Sequence, residues 1–211
     1  MTKELQELKL KLLLIGDTAV GKTCMILKYT DDKFPEAHIS TIGVEYKSHI
    51  LKTDKYKITL NIWDTSGQER FRSITKSFFT NTNGVLFVYD ITNLKSFENV
   101  KNWIKDSEMF GKYDSILCGN KLDLNNKREV QFDTLKEYGI KQKMPVIETS
   151  AKEGTNIKEA FKMMVDQILK ERSDEEIIHE FGVSQTENFT LQRNPKKQKE
   201  GNNGCKCTIK N

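Results

Sequence analysis

The stretch Gly16-Asp-Thr-Ala-Val-Gly21-Lys22-Thr23 carries most of what this chain's sequence says about its fold. It fits the pattern of a glycine, four residues, then glycine, lysine and a hydroxyl residue. Leu8 to Ile15, just before it, is apolar and β-rich, and Lys22 to Tyr29 can run as a helix. In a strand, loop and helix arrangement, glycine lets the backbone curl so that successive N–H groups face phosphates at a helix N-terminus whose dipole favours anions. Asp17, Thr18, Ala19, Val20, Gly21, Lys22, Thr23 and Cys24 are therefore the expected nucleotide cradle. Lys22 is expected to reach the β- and γ-phosphates, and Thr23 to offer its hydroxyl to Mg²⁺. A plain glycine turn between strand and helix would look the same, so the rest of the chain has to decide.

Outward from this loop the chain alternates. Val44 to Lys52 and Lys55 to Trp63 alternate apolar and polar residues across Thr53 and Asp54, a spacing that predicts an antiparallel hairpin. Val85 to Tyr89, Ile116 to Gly119 and Val146 to Thr149 are short apolar runs, the form of strands covered on both faces. Helical patterns separate them. In the last, Ile157, Phe161, Met164, Val165, Ile168 and Leu169 recur at helical spacing, with Asn156 and Glu159 placed as a capping box. This order predicts an α/β fold: a six-stranded, mostly parallel sheet with one antiparallel strand, helices on both faces, and ligands at the carboxyl ends of the strands.

Three further motifs fall at such ends. Trp63-Asp64-Thr-Ser-Gly67-Gln68 closes a strand, so Asp64 can hold Mg²⁺ through water and Gln68 can orient an attacking water. Gly67 offers a backbone that can approach a γ-phosphate and change dihedral when the phosphate leaves. In Asn120-Lys121-Leu122-Asp123, the Asp123 carboxylate can accept from the N1–H and exocyclic amino group of guanine, two donors that adenine does not present there. Ser150-Ala151-Lys152 can close over the base edge with backbone N–H groups.

Length and charge set limits on the alternatives. A chain of 211 residues suits one domain and a tail. No apolar run reaches the roughly 18 to 20 residues that span a bilayer, and MTKELQELK lacks the apolar core of a secretory signal, so a cytoplasmic chain is expected. Residues 190 to 211 hold six basic residues against Glu200, which is +5 of the chain's net +4, leaving −1 on residues 1 to 189. A nearly neutral body is not what nucleic acid binding requires. His38, His49 and His179 have no metal-ligand spacing with cysteine, and Cys24 and Cys118 read as small buried apolar residues. After Arg172 the sequence turns polar and then basic. The expected organisation is a short lead over 1–7, a folded domain over 8–172 and a flexible tail over 173–211.

These elements, in this order, resemble the Ras superfamily of small GTPases over about residues 8 to 172. Ile42-Gly-Val-Glu-Tyr-Lys47, Trp63-Asp-Thr-Ser-Gly-Gln-Glu-Arg-Phe-Arg72 and Phe87-Val-Tyr-Asp-Ile-Thr-Asn93 are similar to the Rab family in particular. The resemblance implies a P-loop GTPase domain that holds GTP or GDP with Mg²⁺, in which Thr41 meets Mg²⁺ and γ-phosphate in the GTP state and Phe34 packs on the guanine edge. It implies a monomeric switch in vesicle trafficking, served by an exchange factor, a GTPase-activating protein, effectors, a GDP-dissociation inhibitor and prenylation machinery. Ser66 and Ser77-Phe78-Phe79-Thr80 depart from the Rab pattern, the second on a helix that would face partners. Thr18 is a common Rab residue.

Two other classes use a phosphate loop. An ATP-dependent kinase or ATPase conflicts with Asp123, and a scaffold that binds without turnover conflicts with the presence of Gln68 and Thr41. Cys205-Lys206-Cys207 resembles Rab termini that carry geranylgeranyl groups and anchor the protein to a cytosolic membrane face, although Thr208 to Asn211 adds four residues after Cys207. Two free thiols, or part of a metal site, would give the same string.

Overall fold

The computed structural model describes residues 5–35, 44–65 and 78–183. Six strands form one sheet in the order β2-β3-β1-β4-β5-β6. They are β1 (Gln6–Ile15), β2 (Val44–Lys52), β3 (Tyr56–Thr65), β4 (Gly84–Asp90), β5 (Asp114–Asn120) and β6 (Val146–Glu148). Only β2 runs antiparallel, paired with β3 from Val44↔Thr65 to Lys52↔Lys57. Its hairpin closes with the Thr53 N–H on the Tyr56 carbonyl at 2.9 Å and the Tyr56 N–H on the Thr53 hydroxyl at 3.0 Å, so Lys55 belongs to the turn.

The apolar runs become the covered strands. In β1, residues alternate between two cores: Leu8, Leu10, Leu12 and Leu14 face one layer, Leu13 and Ile15 the other. Against the first layer pack α1 (Lys22–Asp31), with Met25, Ile26 and Tyr29, and α4 (Ile157–Leu169), with Ile157, Phe161, Met164, Val165 and Ile168. Against the second pack α2 (Leu94–Ser107), with Phe97, Val100, Trp103 and Ile104, and α3 (Phe132–Gln142), with Leu135. Parallel strands buried on both sides have no polar face to show, which is why they read as continuous apolar runs.

Three expectations need correcting. Asn156 does not cap α4: it sits at φ 55°, makes no side-chain cap bond, and its amide donates instead to the Glu148 carbonyl at 2.8 Å. In that left-handed conformation the side chain is better placed to tie the loop to β6 than to reach the helix's first N–H groups. Cys24 is only partly buried, packed at the edge of the core, while Cys118 is fully buried and its thiol is pushed up to about 12 by that burial.

The third concerns residues 173–183, which composition assigns to a flexible tail. Asp174–Phe181 is a helix, α5, opened by a capping box in which the Ser173 hydroxyl accepts from the Glu176 N–H and the Glu176 carboxylate from the Ser173 N–H. Ile177 and Phe181, one helical turn apart, enter the same core as Leu8 and Tyr56. The Tyr56 hydroxyl and the Lys55 ammonium both bond Asp174, at 2.5 and 2.8 Å. Beyond α5, Gly182 bridges Leu8 and the Val183 N–H donates to the Glu7 carbonyl at 3.1 Å. The β1–β4 ladder begins only at Leu12, so this segment takes edge positions that β4 leaves open. Two buried apolar residues in eight are enough for a helix when an existing core receives them.

Candidate functional site

The carboxyl ends of β1, β3, β5 and β6 meet along one rim of the sheet. The loop after β1 needs its glycines for physical reasons. Gly16 has φ 154°, and a Cβ there would lie 2.0 Å from the Val88 carbonyl oxygen; Gly21 has φ 99°, and a Cβ would lie 2.3 Å from the Asn120 amide nitrogen. Ala19 also has a positive φ, 63°, and its side chain is exposed. The loop delivers the chain into α1 at Lys22, whose first turn has N–H groups with no helical partner.

Lys22 is 5% exposed, and its ammonium donates to the Gly16 and Asp17 carbonyls at 2.8 and 2.7 Å. Burial lowers its pKa to about 8, against the pull of the Asp64 and Asp17 carboxylates. The Thr23 hydroxyl donates to Asp64, which is 3% exposed at the end of β3. A hydroxyl and a nearly buried carboxylate side by side are hard oxygen donors of the kind Mg²⁺ takes, and a buried carboxylate is favoured by a cation close to it. Thr23 and Asp64 therefore fit that ion.

Asn120 joins the loops. Its amide donates to the Val20 carbonyl at 2.9 Å, and its side-chain oxygen accepts from the Thr149 hydroxyl and the Ala151 N–H, both at 3.2 Å. The phosphate-loop candidate, the end of β5 and the segment Ser150–Lys152 are thus held by one buried side chain. Expected as a nucleotide contact, Asn120 has its side chain engaged with the protein. The Ser150 hydroxyl donates to Asp123 at 2.7 Å, fixing that carboxylate beside the same segment. Lys121 takes φ 71° and its ammonium lies 2.7 Å from Asp90. Phe34 is 43% exposed. Thr41, Gly67, Gln68, Cys205 and Cys207 lie outside the described residues.

Known proteins resemble this chain along most of its length. A family model described as the Ras family matches residues 11–170. The chain is 44% identical over 166 residues to Ras-related protein Rab-1C of Dictyostelium discoideum, covering 78% of this chain and 83% of that protein. It is 43% identical over 169 residues to GTP-binding protein YPT1 of Saccharomyces cerevisiae, covering 79% and 82%. It is 44% identical over 164 residues to Ras-related protein RABD2a of Arabidopsis thaliana, covering 77% and 80%.

The chain is a Rab-family member of the Ras family. As a Rab it is a small GTPase that binds GTP and hydrolyses it to GDP, in a family of vesicle-trafficking switches. The expected fold, a mostly parallel six-stranded sheet with one antiparallel strand, is the one found. Among the described residues of this Rab no helix is long and apolar enough to cross a membrane.

Some residues of the site escape sequence reading. Arg128 forms a two-pronged ion pair with Glu148 at 2.5 and 2.9 Å, which braces the strand that leads into Ser150. Asp17, expected among the phosphate contacts, turns its carboxylate the other way: Trp103 Nε1–H donates to it at 2.8 Å and the Asn99 amide at 2.6 Å. One signal for this was present, since an acid in a loop built for phosphates must find donors elsewhere.

Proposed function

We propose that the guanine nucleotide of this GTPase lies along that rim, with its phosphates on residues 16–23, its base against Asp123, and Mg²⁺ held by Thr23, Thr41 and Asp64. The single observation that supports this best is the Asn120 side chain. It ties the phosphate loop to the base-reading segment, so that one ligand can reach both. Bound there, Mg²⁺ would supply positive charge that offsets the charge of the phosphates. Asp17, Thr18, Ala19, Val20, Gly21 and Cys24 contribute backbone to the cradle, Ala151 and Lys152 close the base edge, and Phe34 covers it.

In hydrolysis, water attacks the γ-phosphorus and the bond to the bridging oxygen breaks, giving GDP and phosphate. Lys22 meets the charge that develops on the phosphates, and Gln68 orients the water. Thr41 and Gly67 contact the γ-phosphate and let go when it leaves, which changes the surface that partners read. Next to both loops in the sequence stands an aromatic group: Tyr46, 52% exposed, lies 5.4 Å from Trp63, and Trp63 lies 5.9 Å from Phe78. Trp63 and Phe78 are partly buried, and a partly exposed aromatic cluster of this kind suits a partner surface, which supports effectors, an exchange factor and an activating protein as readers of the state. Replacing Gln68 by Leu fills the space without orienting water. Single-turnover hydrolysis is expected to slow by about tenfold or more while GTP affinity holds. An unchanged rate, with and without an activating protein, would remove Gln68 from this role.

The site at the other end of the chain is a lipid anchor. Cys205 and Cys207 carry geranylgeranyl groups that hold the protein on a cytosolic membrane face, in exchange with a GDP-dissociation inhibitor. Two chains exceed the marginal binding of one, and Lys196, Lys197 and Lys199 add about 1 kcal/mol each near an anionic leaflet. Mass spectrometry of the C-terminal peptide from cells is expected to show both thiols modified, and a Cys205→Ser, Cys207→Ser double variant to leave the membrane fraction. An unmodified peptide from membranes, or a double variant that stays there, would overturn the anchor.

A further inference from the structure

We propose that helix α2 sets the shape of the phosphate loop through Asp17, and that Asp17, Trp103 and Asn99 are positioning residues for nucleotide retention. This rests on the phosphate-loop reading above and adds to it a control point outside the pocket. Asn99 and Trp103 stand four residues apart, hence on one face of α2, and each donates to a different oxygen of the same carboxylate, at 2.6 and 2.8 Å. Trp103 is 6% exposed and its ring belongs to the core under the sheet, so its N–H is a fixed donor. A planar carboxylate held at both oxygens loses its rotational freedom, and with it the backbone of residue 17 loses freedom too. The carbonyl of that same residue is one of the two that receive the Lys22 ammonium. The chain of contacts therefore runs from the α2 core through Asp17 to the lysine that meets the phosphates.

Charge alone makes the opposite forecast. A negative side chain in a loop that binds anions opposes the ligand, so removing it should tighten binding if nothing else changed. If Asp17 acts by holding the loop, removing it should loosen binding. The sign of one measurement separates the two.

The experiment is the rate of release of a fluorescent GDP analogue from the full chain loaded with Mg²⁺, read beside the melting temperature at saturating GDP. Trp103→Phe is expected to speed release by about tenfold, the loss of one hydrogen bond to a charged group, and Asp17→Ala, which loses both bonds, by at least as much. Trp103→Phe keeps the ring in the core and removes only the donor. The double variant is expected to release no faster than Asp17→Ala alone, because both act through one contact. Asp17→Asn, which keeps an acceptor for Trp103 Nε1–H, is expected to recover part of the loss. Asn99→Ala, at a partly exposed helix position outside the core, is a second probe, and about threefold faster release is expected from it. Slower release from Asp17→Ala would overturn the proposal in favour of simple repulsion. Unchanged release with a lowered melting temperature, or additive effects of Asp17→Ala and Trp103→Phe, would overturn it in favour of a purely structural contact. Lys22→Ala serves as the control: if it retains nucleotide normally, the phosphate-loop reading fails and the clamp with it. If it loses nucleotide while the clamp variants do not, the clamp alone fails.

Discussion

Lys22→Ala is expected to weaken GDP and GTP binding by about 10³-fold, the loss of two charge-assisted hydrogen bonds to phosphate at about 1.5–3 kcal/mol each. The side chain is 5% exposed and bonded to two carbonyls of its own loop, which holds the ammonium against the segment 16–23 that the proposed function assigns to the phosphates. Its charge has a pH signature. In the free protein burial lowers the Lys22 pKa to about 8, and phosphate oxygens beside it would raise that value in the complex. A group whose pKa rises on binding supports binding fully below its free value and loses that support as pH climbs above it. Affinity in the unaltered chain is therefore level below pH of about 8 and falls above it, while Lys22→Ala shows no such fall. Calorimetric titration with GDP at several pH values checks both. Equal affinity in the variant, or the same pH dependence in both proteins, would contradict the role given to Lys22.

Asp123→Asn is expected to move specificity from guanine to xanthine nucleotides, with GTP weakened by about 10³-fold or more, since an amide presents a donor where two guanine donors need an acceptor. Ser150 makes the result interpretable. Its hydroxyl donates to one Asp123 oxygen at 2.7 Å, and an Asn side-chain oxygen can accept the same bond, so the loop should keep its shape. Competition between GDP and XDP for the variant reads the change directly. Undiminished preference for GDP would mean that the base is recognised elsewhere.

The rim of the sheet was legible because its strands are. A parallel strand covered on both sides must be apolar throughout, and the loop that leaves it carries the chemistry, so Gly16 to Thr23 and Asn120 to Asp123 stand out at the ends of such runs, and Asp64 at the end of the alternating strand β3 beside them. The hairpin of β2 and β3 was legible for the complementary reason, one face buried and one not. What stayed hidden depends on packing that no local pattern records. Residues 173–183 look like tail until the open edge of β1 and the core around Tyr56 are known to be there to receive Ile177 and Phe181. Asn156 has the right residue type and spacing for a cap, but its positive φ sends the amide to Glu148. Asp17 matched the loop pattern, yet the direction of its carboxylate depends on Trp103 and Asn99, more than eighty residues further on. Phe79 belongs to a stretch expected to face partners, but it is 5% exposed and packs 4.9 Å from Phe110.

The most direct test of the site as drawn is the nucleotide that leaves the purified full chain on denaturation, separated and quantified by chromatography. A phosphate loop and a guanine-reading Asp123 on one rim predict GDP or GTP in roughly equimolar amount with protein, and its loss in Lys22→Ala. Adenine nucleotide in the extract, or a guanine nucleotide retained at the same stoichiometry by Lys22→Ala, would contradict it.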